Sequence, residues 1–176
     1  MNRDKCTSSS QICKISLDCT DYLIAEPQPF NKKFFSNKFN HAGLRYEIAV
    51  ALYSSNIVWA SGPHLPGVKN DLAIYRESLK HILIANNEMA FADKGYRGEE
   101  QTIQEKGRGS KEEREVATRA RARHETINRR LKEWKSLSSQ FCHNKGTDIT
   151  NHRLVFDAVL VLTQLSVAHN KSLFEL

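Results

Sequence analysis

Residues 44 to 60 contain the feature that most constrains the fold. Every second residue from Leu44 to Leu52 is apolar, which is the period of a β-strand that packs one face on a core. Residues 54 to 56, Ser-Ser-Asn, favour a turn, and a second short apolar run follows at 57 to 60. The segment therefore predicts two antiparallel strands joined as a hairpin.

A shorter alternation precedes the hairpin, from Lys14 to Thr20. It predicts a strand with Ile15, Leu17 and Cys19 on one face and with Asp18 on the opposite, polar face. Together with the hairpin, this strand gives three antiparallel strands at the start of the domain.

The rest of the chain predicts helices and one further strand. Asn70 and Asp71 stand where a helix N-cap and first turn belong, and apolar residues follow at helical spacing. The apolar run 89 to 92 predicts a buried strand that ends at Asp93. The remaining expectations are a helix over 70 to 85, a mobile glycine-containing loop over 97 to 111, a long helix over 111 to 136, and a last helix over 149 to 169 buried on a broad face.

This order of elements predicts an α/β fold, a mixed sheet of three antiparallel strands plus a parallel strand, flanked by helices. A ribonuclease H-like fold fits that order. The 176 residues suffice for one domain, which we expect over 14 to 170 after a polar N-terminal tail over 1 to 13. No run approaches the roughly 18 apolar residues of a membrane span, so we expect no membrane partner.

The net charge of +6 is concentrated in one segment. Residues 106 to 135 contain eleven Lys and Arg against five Glu, so the remainder of the chain is neutral. Such local cation density suits binding to a phosphate backbone. It is equally typical of a solvated helix with many ion pairs.

Three acidic residues have positions that suit metal-dependent phosphodiester cleavage. This chemistry uses two divalent cations about 4 Å apart, and hard cations prefer carboxylate oxygens. Asp18 in a strand, Asp93 at the end of a neighbouring strand and Glu125 on a later helix can converge on one site. Among 20 acidic residues, however, many such triples exist.

Four segments sharpen this interpretation by their resemblance to a known family. They are LDCTDYLI (17 to 24), GLRYEIAVALYSSNIVWASGPHLPGVKNDLAIYR (43 to 76), FADKGYRGEE (91 to 100) and RARHETINRRLKEWK (121 to 135). In this order they resemble the DDE superfamily transposases of the Harbinger type and their bacterial insertion-sequence relatives. The resemblance covers roughly residues 15 to 170.

The resemblance implies a function and a set of site residues. It implies a metal-dependent DNA endonuclease that hydrolyses phosphodiesters at transposon ends and then transfers the freed strand to target DNA. Asp18, Asp93 and Glu125 are its catalytic residues and ligands of two Mg²⁺ or Mn²⁺ ions. A separate Myb-like DNA-binding protein and a homo-oligomer are further expected partners, and the location is nuclear in a eukaryote and otherwise cytoplasmic.

Several assignments within the site stay open. Asp21 could be the ligand in place of Asp18, and Asp71 resembles a family motif although it also suits the first turn of a helix. Glu125 lies opposite the apolar stripe of its helix, where an exposed ion pair with a residue four positions away is the alternative. Residues expected to contact DNA phosphates are Arg121, Arg123, Arg129, Arg130, Lys132, Lys135, Lys94 and Arg97.

Two other functions compete with the transposase. The chain begins almost at the first catalytic strand, so we expect the N-terminal DNA-binding region of the family to be absent. A truncated or domesticated, catalytically silent DNA-binding or interaction protein with the same fold is therefore the main alternative. A ribonuclease H or resolvase is less favoured, because the segments around Asp93 and Glu125 match transposases better.

Overall fold

A computed structural model of the protein describes residues 12–104, 111–143, 148–169 and 173. Within this part of the chain, six strands form one sheet and helices cover it. The strands are β1 (Ile12–Leu23), β2 (Phe35–Ser36), β3 (His41–Ala51), β4 (Ile57–His64), β5 (Glu88–Ala92) and β6 (Thr102–Gln104). The helices are α1 (Asp71–Glu77), α2 (Leu79–Ala85), α3 (Lys111–Glu133), α4 (Lys135–Ser138) and α5 (Ile149–His169).

The sheet is mixed, with β1 at its centre. β1 pairs antiparallel with β3, which pairs antiparallel with β4 and with the short β2. On its other side β1 runs parallel to β5, which runs parallel to β6. The prediction of an α/β, ribonuclease H-like mixed sheet flanked by helices is confirmed.

Apolar cores cover both faces of the sheet. On one face Tyr22 and Tyr46 pack with Phe156 of α5, and the rings of Tyr46 and Phe156 stack with centroids 3.8 Å apart. On the other face Leu17 packs with Tyr75 of α1. Because β1 is covered on both sides, even its small polar residues are buried. The polar face predicted for this strand is therefore an interior face.

The segment after β5 is more ordered than its composition indicates. We expected a mobile loop over 97 to 111, but Thr102–Gln104 forms β6 beside β5. Glu99 anchors the approach to β6 by ion pairs of 2.6 Å with Arg76 and 2.7 Å with Lys80. Tertiary pairing thus overrides the polar local sequence. Residues 105 to 110 of the expected loop lie outside the described residues.

Two helices differ in extent from their predictions. The helix expected over 70 to 85 is interrupted at Ser78, whose hydroxyl donates to the Glu47 carboxylate and to the Ile74 carbonyl oxygen. The helix expected over 111 to 136 ends at Glu133, and the next residue, Trp134, is 39% exposed. The predicted tail boundary also shifts, since β1 begins at Ile12, while residues 1 to 11 lie outside the described residues.

The last helix has the predicted bounds but not the predicted burial. Phe156, Val159 and Val167 face the core, whereas Leu154 and Leu165 are exposed. The apolar residues of α5 are not confined to one stripe of the helix, so its pattern did not reveal which face is covered. Among the described residues, no helix is both long and apolar enough to cross a membrane.

Candidate active site

Parallel pairing of β1 and β5 brings Asp18 and Asp93 together. Leu17 of β1 is paired with Ala92 of β5. The residue that follows each of them in the chain is an aspartate, so Asp18 and Asp93 lie side by side. The Asp18 carboxylate accepts a hydrogen bond of 2.8 Å from the Cys19 backbone N–H. The Asp93 carboxylate accepts one of 2.7 Å from Gly95 and thereby caps a 3-10 turn over Lys94–Tyr96.

Helix α3 brings Glu125 to the same place. It packs across the sheet through Ala120 and Ile127, which are both fully buried. A cavity of about 200 Å³ lies between α3 and the paired strands β1 and β5, and Asp18, Asp93 and Glu125 all line it. The three predicted acids therefore border one cavity.

Glu125 also forms the exposed ion pair that was its alternative interpretation. Its carboxylate lies 3.0 Å from the Arg121 guanidinium, one helical turn away, and the two side chains are 62% and 56% exposed. Such exposed pairs contribute little stability, about 0.3–0.5 kcal/mol. Arg121 lines the cavity as well, so the pair stands at the site rather than away from it.

The electrostatics of the cavity favour a cation beside Asp18. The pKa of Asp18 is raised to about 6, mainly by burial; the charge of Lys38 opposes this shift, and the charges of Asp93 and Asp71 add to it. An ionised Asp18 is thus held near other carboxylates in a partly desolvated place. A bound divalent cation relieves both costs, so the chemistry of this donor set fits Mg²⁺ or Mn²⁺.

No ready-made metal cluster is formed, however. In the part of the chain that the structure describes, no group of three His, Cys, Asp or Glu side chains is close enough to hold a metal ion.

Asp21 is a structural residue rather than a member of the cavity. It is fully buried and accepts two hydrogen bonds from Arg45, at 2.7 and 2.9 Å, and one of 2.6 Å from the Ser36 hydroxyl. Burial raises its pKa, but the bonds from Arg45 and Ser36 outweigh burial and the pKa is lowered overall. Because these hydrogen bonds already stabilise the charge of the Asp21 carboxylate, we do not expect it to bind a metal ion.

Asp71 lies in the first turn of α1, as predicted, and also close to the turn after Asp93. Asn70 caps the helix by accepting a 2.8 Å hydrogen bond from Ala73 N–H. One carboxylate oxygen of Asp71 accepts a 2.7 Å bond from Arg45. The other is 3.7 Å from the point where a Cβ on Gly95 would lie, and Asp93 is 2.9 Å from that point. Asp71 therefore adds negative charge beside the site.

His124 is buried against β1 next to Glu125. Its Nδ1 lies 3.1 Å from the Ser16 hydroxyl, and burial lowers its pKa to about 4. A neutral imidazole in this place joins α3 to β1, so it fixes the part of the helix that carries Glu125.

The residues predicted to contact DNA differ in their exposure. Arg123 is 3% exposed and donates a hydrogen bond of 2.5 Å to the Ser54 carbonyl oxygen, so its assignment to DNA is wrong. It is on the buried side of α3. Lys132 is half-buried, with its ammonium 5.5 Å from the centre of the Tyr22 ring. Arg121, Arg129, Lys135, Lys94 and Arg97 are exposed, and Arg130 is partly exposed.

Lys38 belongs to the site but was not expected from the sequence. It lines the cavity, and its ammonium donates a 2.9 Å hydrogen bond to the carbonyl oxygen of Cys19, the residue after Asp18. The segment that contains it is polar and irregular in sequence, and only the pairing of β2 with β3 brings it to Asp18.

Comparison with known families decides the class of protein. The family model of the DDE superfamily endonucleases matches residues 17–164. The chain belongs to this family. All three candidate acids lie within the match, and the family implies nuclease activity on DNA with divalent metal ions. No curated protein and no solved structure is significantly similar to the chain.

Proposed function

We propose that this endonuclease domain is the catalytic domain of a cut-and-paste DNA transposase of the Harbinger type. One observation carries the proposal: in a chain of a nuclease superfamily, the carboxylates of Asp18, Asp93 and Glu125 line a single cavity. The Harbinger assignment is supported by the four segments described above, which occur in the order that family has.

The three carboxylates are proposed to act as metal ligands. Two Mg²⁺ or Mn²⁺ ions bound there would activate the attacking oxygen and stabilise the leaving oxygen of an in-line displacement at phosphorus. Asp18 lies within β1 and Asp93 directly follows β5, so the sheet fixes both, while Glu125 extends from helix α3. Glu125 must leave Arg121 to reach a metal, and this costs little because the pair is exposed.

The reaction proceeds by substitution at a DNA phosphate. In the first step water attacks phosphorus and the bond to the 3′-oxygen breaks, which leaves a 3′-hydroxyl and a 5′-phosphate. In the second step the oxygen of that 3′-hydroxyl attacks the phosphorus of a phosphodiester in target DNA, and the bond from this phosphorus to the target's own 3′-oxygen breaks. The proton of the attacking hydroxyl is lost, and the leaving oxygen takes up a proton to become a new 3′-hydroxyl. Arg121, Arg129 and Lys132 on α3 are proposed to bind the phosphates on either side.

The test is nicking of supercoiled plasmid in the presence of Mn²⁺. We expect the wild-type protein to convert supercoiled to open-circular DNA, and Asp93→Ala and Glu125→Gln to lose roughly 100-fold or more in rate, because each removes a proposed ligand. Glu133→Gln is the matched control, since Glu133 is an exposed glutamate on the same helix.

Either outcome is informative. Nicking that disappears with EDTA and with both site variants, but survives in Glu133→Gln, supports the proposal. DNA binding that weakens with salt, without nicking by the wild-type protein, favours instead the catalytically silent DNA-binding protein.

A further inference from the structure

Lys38, in the turn between β2 and β3, lines the cavity that Asp18, Asp93 and Glu125 border. Residues 37 to 40 connect the two strands, and the Phe39 N–H donates to the Ser36 carbonyl oxygen at 3.3 Å. Asn40 closes the turn with φ of 53°, a left-handed conformation that asparagine adopts more readily than most residues. Ser36 is itself bound to the buried Asp21. The position of Lys38 is therefore set by the hairpin.

The Lys38 ammonium stands beside Asp18 without being neutralised by it. Its hydrogen bond goes to the Cys19 carbonyl oxygen, at 2.9 Å. The described residues provide no carboxylate within ion-pair distance of it. An ammonium group has three donors, so two remain for another acceptor. Its charge nevertheless acts on the carboxylates nearby, since it opposes the rise in the pKa of Asp18 and of Asp71 that burial causes and adds to the lowering of the pKa of Asp21.

A second cation, Lys132, lies near the turn that contains Lys38. The Lys132 ammonium is 5.9 Å from the centre of the Phe39 ring, the residue after Lys38. Burial lowers the pKa of Lys132, and the charge of Lys38 lowers it further. A phosphate of a DNA strand would relieve the repulsion between these two ammonium groups, and the exposed Phe39 ring beside them could stack with a base.

We propose that Lys38 binds the scissile phosphate in the active site, and that Lys132 binds the neighbouring phosphate of the same strand. This inference rests on the proposed function, because the scissile phosphate is the one that metal ions held by Asp18, Asp93 and Glu125 would activate. The inference adds Lys38 to the proposed DNA contacts, a residue that lies outside α3 and outside the segments that contain the three acids. The DNA strand then lies between the α3 cations and the β2–β3 turn.

The proposed role follows from the charge of the reaction. Phosphoryl transfer accumulates negative charge on the nonbridging oxygens of the transition state, and donors placed in advance stabilise that charge. Lys38 is placed in advance by its bond to Cys19 and by the hairpin. Its contribution is therefore expected in the rate of cleavage as well as in DNA affinity.

The experiment compares Lys38→Met and Lys38→Arg with Lys33→Met. Lys33 is an exposed lysine shortly before the same hairpin, so its variant controls for loss of one charge. We measure plasmid nicking in Mn²⁺, the salt dependence of binding to a fluorescent DNA duplex, and Mn²⁺ affinity by calorimetry.

Lys38→Met should nick about 10- to 100-fold more slowly than wild type. The slope of log Kd against log salt should fall by about one unit. Lys38→Arg should keep most of the rate, and Lys33→Met should resemble wild type. Mn²⁺ affinity should not fall in Lys38→Met, because the variant removes a cation from beside the carboxylates. Unchanged Mn²⁺ affinity would show that the slower nicking of Lys38→Met does not come from weaker metal binding.

Nicking by Lys38→Met within about twofold of wild type, with an unchanged salt slope, would overturn the inference. A loss of rate equal in Lys38→Met and Lys38→Arg, again with no change of slope, would also overturn it, because it indicates a structural role of the turn. If the wild-type protein does not nick DNA at all, the proposed function fails, and the salt slope still decides whether Lys38 contacts a phosphate.

Discussion

Replacing Asp18 by asparagine is expected to stabilise the metal-free protein near neutral pH, although it destroys the proposed site. The ionised carboxylate is held in a partly desolvated cavity near Asp93 and Asp71, and its pKa is raised from 3.8 to about 6. A group with a raised folded-state pKa contributes stability below its unfolded pKa and loses that stability as pH rises through the folded value. The neutral amide of the Asp18→Asn variant mimics the protonated carboxyl group at every pH.

The expected magnitude comes from the size of this shift. A shift of about two units corresponds to about 3 kcal/mol at most, and the partial exposure of Asp18 reduces it toward about 1–2 kcal/mol. Below pH of about 3.8 the variant and the wild type should be equally stable. The advantage of the variant should develop between about pH 4 and about pH 6 and should be complete above about pH 7.

Urea unfolding monitored by tryptophan fluorescence, at several pH values and in EDTA, measures this difference. Added Mn²⁺ should reverse the order, because a ligand that binds only the folded protein stabilises the wild type and not the variant. Asp21→Asn is the contrasting variant. It should destabilise the protein by roughly 3–5 kcal/mol at neutral pH, because it breaks a buried pair with Arg45.

The pH dependence of the two variants has opposite sign. Asp21 has a lowered pKa, so its contribution is present above the unfolded pKa and is lost as pH falls through the folded value. The reasoning is refuted if Asp18→Asn is less stable than wild type at about pH 7.5 in EDTA, or if the difference between them does not change with pH.

Contacts near the site give two further predictions. Gly95→Ala should lower Mn²⁺ affinity and nicking by about tenfold or more, because its Cβ would lie 2.9 Å from an Asp93 oxygen and must displace it; calorimetry with Mn²⁺ that gives wild-type affinity contradicts this. Arg123→Ala should cost about 1–3 kcal/mol of unfolding free energy through loss of the bond to Ser54, while its DNA affinity stays near that of wild type. Arg129→Ala should instead lower DNA affinity and leave the unfolding free energy near that of wild type. Fluorescence anisotropy measures the DNA affinity of the two variants, and urea unfolding measures their stability.

The sequence predicted the sheet well where local pattern and burial agree. β3 alternates from Leu44 onward because its large apolar residues pack in one core, while smaller or polar residues such as Ala49 occupy its other face, which is also covered. The turn residues after Leu52 set the hairpin. The segments around Asp18, Asp93 and Glu125 identified three acids that line one cavity. The positions of Asp18 and Asp93 follow from the parallel pairing of β1 with β5, and that of Glu125 from the packing of α3 on the sheet. The short apolar run before Asp93 indicates this arrangement only in combination with the family motif.

The missed features all depend on tertiary contacts. β6 has three residues in a polar segment, and its order comes from β5 and from the ion pairs of Glu99. No Gly or Pro in the sequence indicates the break of the helix at Ser78. The break coincides with a hydrogen bond from the Ser78 hydroxyl to Glu47 of β3. Arg123 was expected at DNA but is bound to the Ser54 carbonyl oxygen, and Lys38 was not expected at the cavity that it lines. Nothing in a linear pattern distinguishes an arginine bound to a carbonyl from one that faces solvent.

The most direct test of the central account is titration of the protein with Mn²⁺, followed by electron paramagnetic resonance of the free ion. We predict that the wild-type protein binds Mn²⁺, that Asp18→Asn, Asp93→Asn and Glu125→Gln each weaken binding by about tenfold or more, and that Glu133→Gln binds as the wild type does. Equal Mn²⁺ binding by the wild type and by all three site variants would contradict the assignment of these carboxylates as the metal site.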